Sequence, residues 1–151
     1  MSKIIMLVGP PNSGKTTWTK EFIKKNKEYV KVSRDDFRQT FFNEWVVSRE
    51  MENILTDIQN IVIDKFLDSG VNVILDNTHC KQQYINIIVE RYGSKHDIIY
   101  KVFDVDRHTL MARNDYRGRV DGKYIPDTVM DNMIKNFNEL KETFEFKDIV
   151  H

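Results

Sequence analysis

Lys3-Ile4-Ile5-Met6-Leu7-Val8 runs directly into Gly9-Pro10-Pro11-Asn12-Ser13-Gly14-Lys15-Thr16. The first stretch is almost continuously apolar, the pattern of a strand buried on both faces of a parallel sheet. The second matches G-x-x-x-x-G-K-[ST]. Glycines there let the backbone curl until successive N–H groups point at phosphate oxygens, and the helix that follows adds its positive N-terminal end. Lys15 can then reach the β- and γ-phosphates of a nucleotide, while the Thr16 hydroxyl can ligate Mg²⁺. A Gly-rich turn can be only a turn, but this one lies between a strand and a helix, the context the chemistry requires. Gly9, Asn12, Ser13, Gly14, Lys15, Thr16 and Thr17 are therefore expected to hold the donor phosphates.

Three more apolar runs read as strands: Tyr29–Ser33, Val71–Leu75 and Asp97–Phe103. Helical spacing separates them. Met51, Ile54, Leu55, Ile58, Ile61, Val62 and Phe66 follow the i, i+3, i+4 rule, and Gly70 offers a stop. Lys81–Tyr92 and Thr109–Tyr116 are further helices, and Asp127 after Pro126 can cap a last one bearing Val129, Met130, Met133, Ile134, Phe137 and Leu140. Trp18 and Phe22, four residues apart on the helix after the phosphate loop, are core residues in the simplest reading. Alternating strands and helices imply right-handed crossovers and an α/β fold, a parallel sheet sandwiched by helices. Ligands then bind beyond the carboxyl ends of the strands.

Composition sets the class. The 151 residues carry 23 Lys+Arg against 23 Asp+Glu, with 40% apolar residues and one cysteine. That supports a single domain over 1–151 with a sizeable core and no disulfide framework, so a reducing, cytoplasmic setting and no membrane partner are expected. Charge is unevenly spread, however. Residues 1–40 hold 9 positive and 4 negative charges, and residues 81–120 hold 8 and 5. These blocks would create an anion-attracting field if they meet in space. Lys20, Lys24, Lys25 and Lys27 more simply solvate a helix face. The 16 Ile, 15 Lys and 12 Asn against the single Ala112 suggest an AT-rich genome.

Several kinds of phosphate-loop protein are disfavoured. No N-K-x-D base-reading motif is present, since Asn26-Lys27 continues Glu28-Tyr29. Motor and AAA-type ATPases usually place a Glu beside the strand-end Asp to activate water, yet here the strand ends Leu75-Asp76-Asn77. Asp76 can hold Mg²⁺ or its waters, or cap the next helix. The pattern favours transfer to another acceptor, hence a kinase. On the acceptor side stands Arg34-Asp35-Asp36-Phe37-Arg38, at the end of the second strand. Asp35 could take a proton from an attacking hydroxyl, and Arg38, three residues on, could clamp an acceptor phosphate; a capped helix with a surface ion pair is the plainer alternative. A third group, Arg113-Asn114-Asp115-Tyr116-Arg117-Gly118-Arg119, reads as a lid over roughly 113–125. Arg113 and Arg117 share a face and could meet the transferring phosphoryl group, and Gly118 and Gly122 suggest a mobile loop. An exposed basic helix end is the alternative.

These stretches resemble the kinase domain of phage-type 5′-polynucleotide kinases. The resemblance rests on Gly9–Thr17, Arg34 through Gln39, Lys101-Val102-Phe103-Asp104-Val105 and Arg113-Asn114 through Arg117-Gly118. It implies an adenylate-kinase-like three-layer sandwich that uses ATP and Mg²⁺ to phosphorylate the 5′-hydroxyl end of DNA or RNA, a nucleic-acid repair reaction. Lys15 and Thr16 would bind donor phosphates and Mg²⁺, Asp35 would be the general base, and Arg38 would grip the acceptor's phosphate. Arg117 would contact the transferring phosphate with Arg113 supporting the lid, and Arg34, Asp76, Asn77 and Thr78 would lie near the acceptor.

The chain differs from the best-known member of that family in having no downstream 3′-phosphatase segment before His151, so phosphorylation without 3′-phosphatase activity is expected. Asp104-Val105-Asp106-Arg107-His108-Thr109 is similar to a phosphatase Asp-x-Asp-x-Thr signature, but its Thr comes one residue late. Hydroxymethylated bases in DNA, nucleosides and small sugar-like molecules are alternative acceptors, and a non-catalytic nucleotide-binding module is a further one. His79 and Cys80 have no second Cys/His pair to complete a zinc site, and Cys80 is expected at a helix start. Trp45, Tyr84 and Tyr124 could stack on a base or simply pack.

Overall fold

A computed structural model describes residues 1–147 and 149–151. They form β1 (Lys3–Val8), α1 (Lys15–Lys25), β2 (Tyr29–Val32), α2 (Arg34–Phe42), α3 (Arg49–Asp68), β3 (Asn72–Leu75), α4 (Gln82–Tyr92), β4 (Asp97–Val102), α5 (Arg107–Val120) and α6 (Asp127–Thr143). All strands pair in parallel, in the order β2-β3-β1-β4. The four expected strands are present within one residue at each end. β1 is central, in register with β3 (Met6 opposite Leu75) and β4 (Val8 opposite Val102).

Central position explains the composition of β1. Ile4, Met6 and Val8 face one layer, packed with Ile63 and Leu67 of α3, Ile85 and Ile88 of α4 and Phe137 and Leu140 of α6. Ile5 and Leu7 face the other, with Trp18 and Phe22 of α1 against them. A strand covered on both sides cannot alternate apolar with polar residues. Trp18 and Phe22 stack with ring centroids 4.7 Å apart. Lys20, Lys24, Lys25 and Lys27 lie on the outer side of α1 and the turn after it, mostly exposed, as a solvated face requires.

Four local expectations need correction. The buried stripe of α3 is Leu55, Gln59, Ile63 and Leu67, whereas Ile61 is 60% exposed and Ile54 45% exposed. The i, i+3, i+4 count is offset because this helix is rich in apolar residues on two faces. Asp127 does not cap α6: Pro126 is the N-cap, Asp127 is the first helical residue, and its carboxylate accepts the Tyr124 hydroxyl at 2.7 Å. Gly118 is not a loop hinge but lies inside α5, where an added Cβ would come 2.9 Å from the Tyr124 Cβ. Cys80 precedes α4 by two residues and is buried. No described helix is long and apolar enough to cross a membrane.

The α3 assignment has a direct check. Ile63→Ala should lower unfolding free energy by about 2–5 kcal/mol, while Ile61→Ala should stay within about 0.5 kcal/mol of the parent. Urea denaturation of both variants measures this. Equal losses would mean that α3 is rotated about its axis, with Ile61 as deep in the core as Ile63.

Candidate active site

The sheet's carboxyl edge is where the chain ends of β1, β2 and β3 open into a cleft of about 1360 Å³. One wall is the loop after β1. Gly9 is buried there, and a Cβ would meet the Ser13 Oγ at 2.8 Å and Phe103 at 3.0 Å. Gly14, at φ 97°, occupies the N-cap of α1. Such a backbone is free to glycine and strained for most other residues.

Lys15 is curled back onto its own loop. Its Nζ donates to the Gly9 carbonyl at 2.9 Å, the Pro10 carbonyl at 2.6 Å and the Ser13 Oγ at 3.3 Å. Burial lowers its pKa from 10.5 to about 8. The Thr16 hydroxyl donates to Asp76 Oδ2 at 2.9 Å, joining α1 to the end of β3. Asp76 therefore does not cap α4, whose N-cap is Lys81. Burial raises the Asp76 pKa, and the Thr16 hydrogen bond opposes that shift. A hydroxyl and a carboxylate side by side are hard oxygen donors suited to Mg²⁺, which keeps several waters and takes other ligands from phosphates.

The segment after β3 braces the loop from beneath. Gly9 N–H donates to the Thr78 carbonyl at 3.0 Å, and His79 Nδ1 lies 2.7 Å from the Leu7 carbonyl. Burial lowers the His79 pKa to about 4, so the imidazole is neutral at pH 7 and its Nδ1–H is the donor. Burial also pushes the Cys80 thiol up to about 11. Asn77 ties β3 to α2 and α3: its Oδ1 accepts Arg34 N–H at 3.1 Å and its Nδ2 donates to Gln59 Oε1 at 3.1 Å.

Across the cleft, Ser33 caps α2 by accepting the Asp36 N–H. This starts the helix so that Asp35 and Arg38 share its inner face. Arg38 donates to Asp35 Oδ1 at 2.7 Å and to both oxygens of Glu52 at 2.6 and 3.0 Å. Arg34 also reaches Glu52, at 2.6 Å, and Thr56, at 2.9 Å. The Arg38 hydrogen bond, with that of Arg34 behind it, holds the Glu52 carboxyl below its usual range against the effect of burial. Lys123 Nζ completes the group at 2.6 Å from Asp35 Oδ2.

Side chains of α5 line the third side. Arg113 donates to the Asn12 carbonyl and Arg117 to Asn12 Oδ1, each at 2.9 Å. Asn12 Nδ2 reaches Asn114 Oδ1 at 3.4 Å, and fully buried Asn114 bonds the N–H and C=O of Ile125. Asn12 itself has φ 68°, a conformation that asparagine tolerates better than most side chains. Asp106 and Thr109 form the α5 cap (2.9 Å), and Asp104 pairs with Lys141 at 2.9 Å, so the phosphatase-like stretch is used structurally.

The loop, acceptor and lid residues expected to bind or react, Gly9 apart, line this one cleft: Asn12 through Thr17, Arg34, Asp35, Arg38, Asp76, Asn77, Thr78, Arg113 and Arg117; Gly118 does not. Gly9 is buried behind Ser13. Glu52, Gln59 and Lys123 carry no sequence signal that reveals their place. Glu52 sits in an ordinary amphipathic helix, and Lys123 lies within the expected lid without a partner of matching spacing.

With Lys15 as the expected partner of the donor phosphates, its lowered pKa predicts a pH-dependent nucleotide affinity. Above about pH 8 the free ammonium loses its proton, which a phosphate ligand must restore, so affinity should hold below pH 8 and fall by up to about tenfold per pH unit above it. Calorimetric titration of a non-hydrolysable ATP analogue from about pH 6.5 to about pH 9.5 reads this, with Lys15→Met flattening the decline. The absence of any decline in the parent protein would contradict it.

A chain of the solved Pnkp1/Rnl/Hen1 RNA repair complex is 34% identical, with a TM-score of 0.91 over 97% of this chain and 47% of that one. The L-seryl-tRNA(Sec) kinase of Methanococcus maripaludis is 28% identical over 142 residues, 89% of this chain and 52% of the relative. The deoxyadenosine kinase of M. mycoides, solved with bound dATP, shares the fold at 17% identity and a TM-score of 0.55, over 98% of this chain and 90% of that one. The chain thus spans about half the length of the first two. Its four-stranded parallel sheet and flanking helices match P-loop kinase structures. Asn77, not Glu, stands beside Asp76 in this chain. Residues 4–140 match the AAA domain, and the chain belongs to that family as a P-loop kinase domain.

Proposed function

We propose that this domain transfers the γ-phosphate of ATP to the 5′-hydroxyl end of a polynucleotide, DNA or RNA. The observation that carries the reading is the placing of Asp35 and Arg38 on one face of α2, across a single cleft from Lys15, Thr16 and Arg117. A phosphoryl donor on the loop and a hydroxyl at Asp35 would share that cleft. The relatives support a hydroxyl carried on RNA: one belongs to an RNA repair complex and the other is a seryl-tRNA kinase.

In the proposed reaction the acceptor oxygen attacks the γ-phosphorus, the bond from that phosphorus to the β-phosphate oxygen breaks, and the hydroxyl proton passes to the Asp35 carboxylate. Lys15 leaves the Gly9 and Pro10 carbonyls for the β- and γ-phosphates. Arg117 exchanges Asn12 Oδ1 for an equatorial phosphoryl oxygen, offsetting charge that grows in the transition state. Arg38 holds the first internucleotide phosphate through its planar fork, kept in orientation by Glu52. Thr16, with Asp76 through water, would hold Mg²⁺, which neutralises the donor phosphates.

Asp35→Asn should lower kcat by about 100-fold or more while circular dichroism and the urea midpoint remain those of a folded protein. The test offers labelled γ-phosphate with 5′-hydroxyl RNA and DNA, then nucleosides, hydroxymethyluracil-containing DNA and seryl-tRNA. Label on oligonucleotide 5′ ends is the expected result. Label on seryl-tRNA or a nucleoside alone would reassign the acceptor, and full activity in Asp35→Asn would remove the base from Asp35.

A further inference from the structure

Lys123 stands outside every motif and yet reaches the centre of the acceptor site. The connection between α5 and α6, residues 121–126, carries it across the cleft to a residue 88 positions away. Its side chain is only 14% exposed. The ammonium lies 2.6 Å from Asp35 Oδ2 and 4.4 Å from the centre of the Trp45 ring, so two walls of the cleft hold it. Arg38 meanwhile takes Asp35 Oδ1.

Both oxygens of the carboxylate are thus engaged by cations. A hydroxyl that donates to Asp35 on its inner side meets Lys123 at Oδ2, and of the two cations Lys123 is the one without a second carboxylate, since Arg38 is anchored independently by its two bonds to Glu52. The displaced ammonium then needs another anion. Asp121 already accepts the Lys123 backbone N–H and lies 3.7 Å from Arg117. Glu44 lines the same cleft but is exposed, and an exposed pair returns little. A phosphate carried by the acceptor molecule itself would supply the missing counterion at the moment it is needed.

We propose that Lys123 is a specificity-determining residue: it leaves Asp35 for a phosphate of the acceptor, and so selects hydroxyls that arrive on a phosphorylated molecule over hydroxyls of neutral nucleosides or sugars. This rests on the reading of Asp35 as the base, and deepens it by assigning the substrate class. Trp45 keeps the ammonium in the cleft during the exchange through cation–π attraction, which tolerates small displacements.

The test compares kcat/KM for a nucleoside 3′-monophosphate and for the same nucleoside, in the parent, Lys123→Met and Lys123→Arg proteins, with 5′-hydroxyl oligonucleotide as a third acceptor. In Lys123→Met, efficiency on the 3′-monophosphate should fall about tenfold or more and efficiency on the nucleoside should rise, while Lys123→Arg keeps the parent's preference. Arg38 by itself would give the parent a preference that Lys123→Met leaves intact, so an unchanged ratio overturns the proposal. Equal losses would make Lys123 a structural strut, and equal gains a simple plug; either overturns it too. A parent protein that labels oligonucleotides while the ratio stays fixed leaves the kinase reading standing alone. A parent that labels neither oligonucleotides nor the 3′-monophosphate ends both. Binding provides an independent readout: the 3′-monophosphate should change the indole emission as the ammonium moves on Trp45, the nucleoside should not, and Trp45→Phe should remove the change. The same response to both ligands contradicts the exchange.

Discussion

The parallel pairing of β1 between β3 and β4 is the constraint on which the cleft depends. Register sets Met6 against Leu75 and Val8 against Val102, so the loop after Val8 and the carboxylate after Leu75 emerge at the same edge. From there a single hydrogen bond of 2.9 Å joins Thr16 to Asp76. Because side chains alternate along a strand, a one-residue slip of β1 would turn Ile4, Met6 and Val8 to the opposite layer. The same buried aliphatic contacts that stabilise the domain therefore also fix where its phosphate loop opens.

Two bridges then turn an edge of loops into an enclosed site. Asn12 connects the loop to both lid arginines, and Lys123 connects the lid to Asp35. In the proposed reaction each bridge gives way to a phosphate or hydroxyl of the substrates. Lys15 is of the same kind, since its ammonium is satisfied by the Gly9 and Pro10 carbonyls that it would leave for phosphate oxygens in the proposed reaction. The charged groups of the cleft are thus held in place by contacts that substrate can exchange. Their charges are thereby compensated before substrate arrives, and each exchange replaces one polar partner with another.

Much of the fold is legible in the sequence because the signals are local. Ile4–Val8 announces a doubly covered strand, and the glycines at 9 and 14 occupy positions whose geometry needs them. Helix orientation is less legible. Ile61 and Ile63 look alike in sequence, and only the packing of α3 on the sheet decides which is buried. Gly118 reads as a hinge, yet its missing side chain makes room for Tyr124. Among the site residues, those within a short motif can be found by spacing. Glu52 and Lys123 cannot, since their partners are 14 and 88 residues away and no periodicity links them.

Charge follows the same logic. Zero net charge hides basic segments 1–40 and 81–120 that meet at one cleft, where Lys15, Arg34, Arg38, Arg113 and Arg117 converge and Lys123, just beyond the second segment, joins them. On the proposed reading a few placed cations would suffice for one strand end, without a basic surface. The most direct measurement is a crystal structure with a non-hydrolysable ATP analogue, Mg²⁺ and a short 5′-hydroxyl RNA. The 5′ oxygen is expected at about 2.6–3.2 Å from Asp35, in line with the γ-phosphorus and the leaving oxygen. An RNA end bound outside the cleft, with Asp35 still held by Arg38 and Lys123, would contradict a phosphoryl transfer based on Asp35.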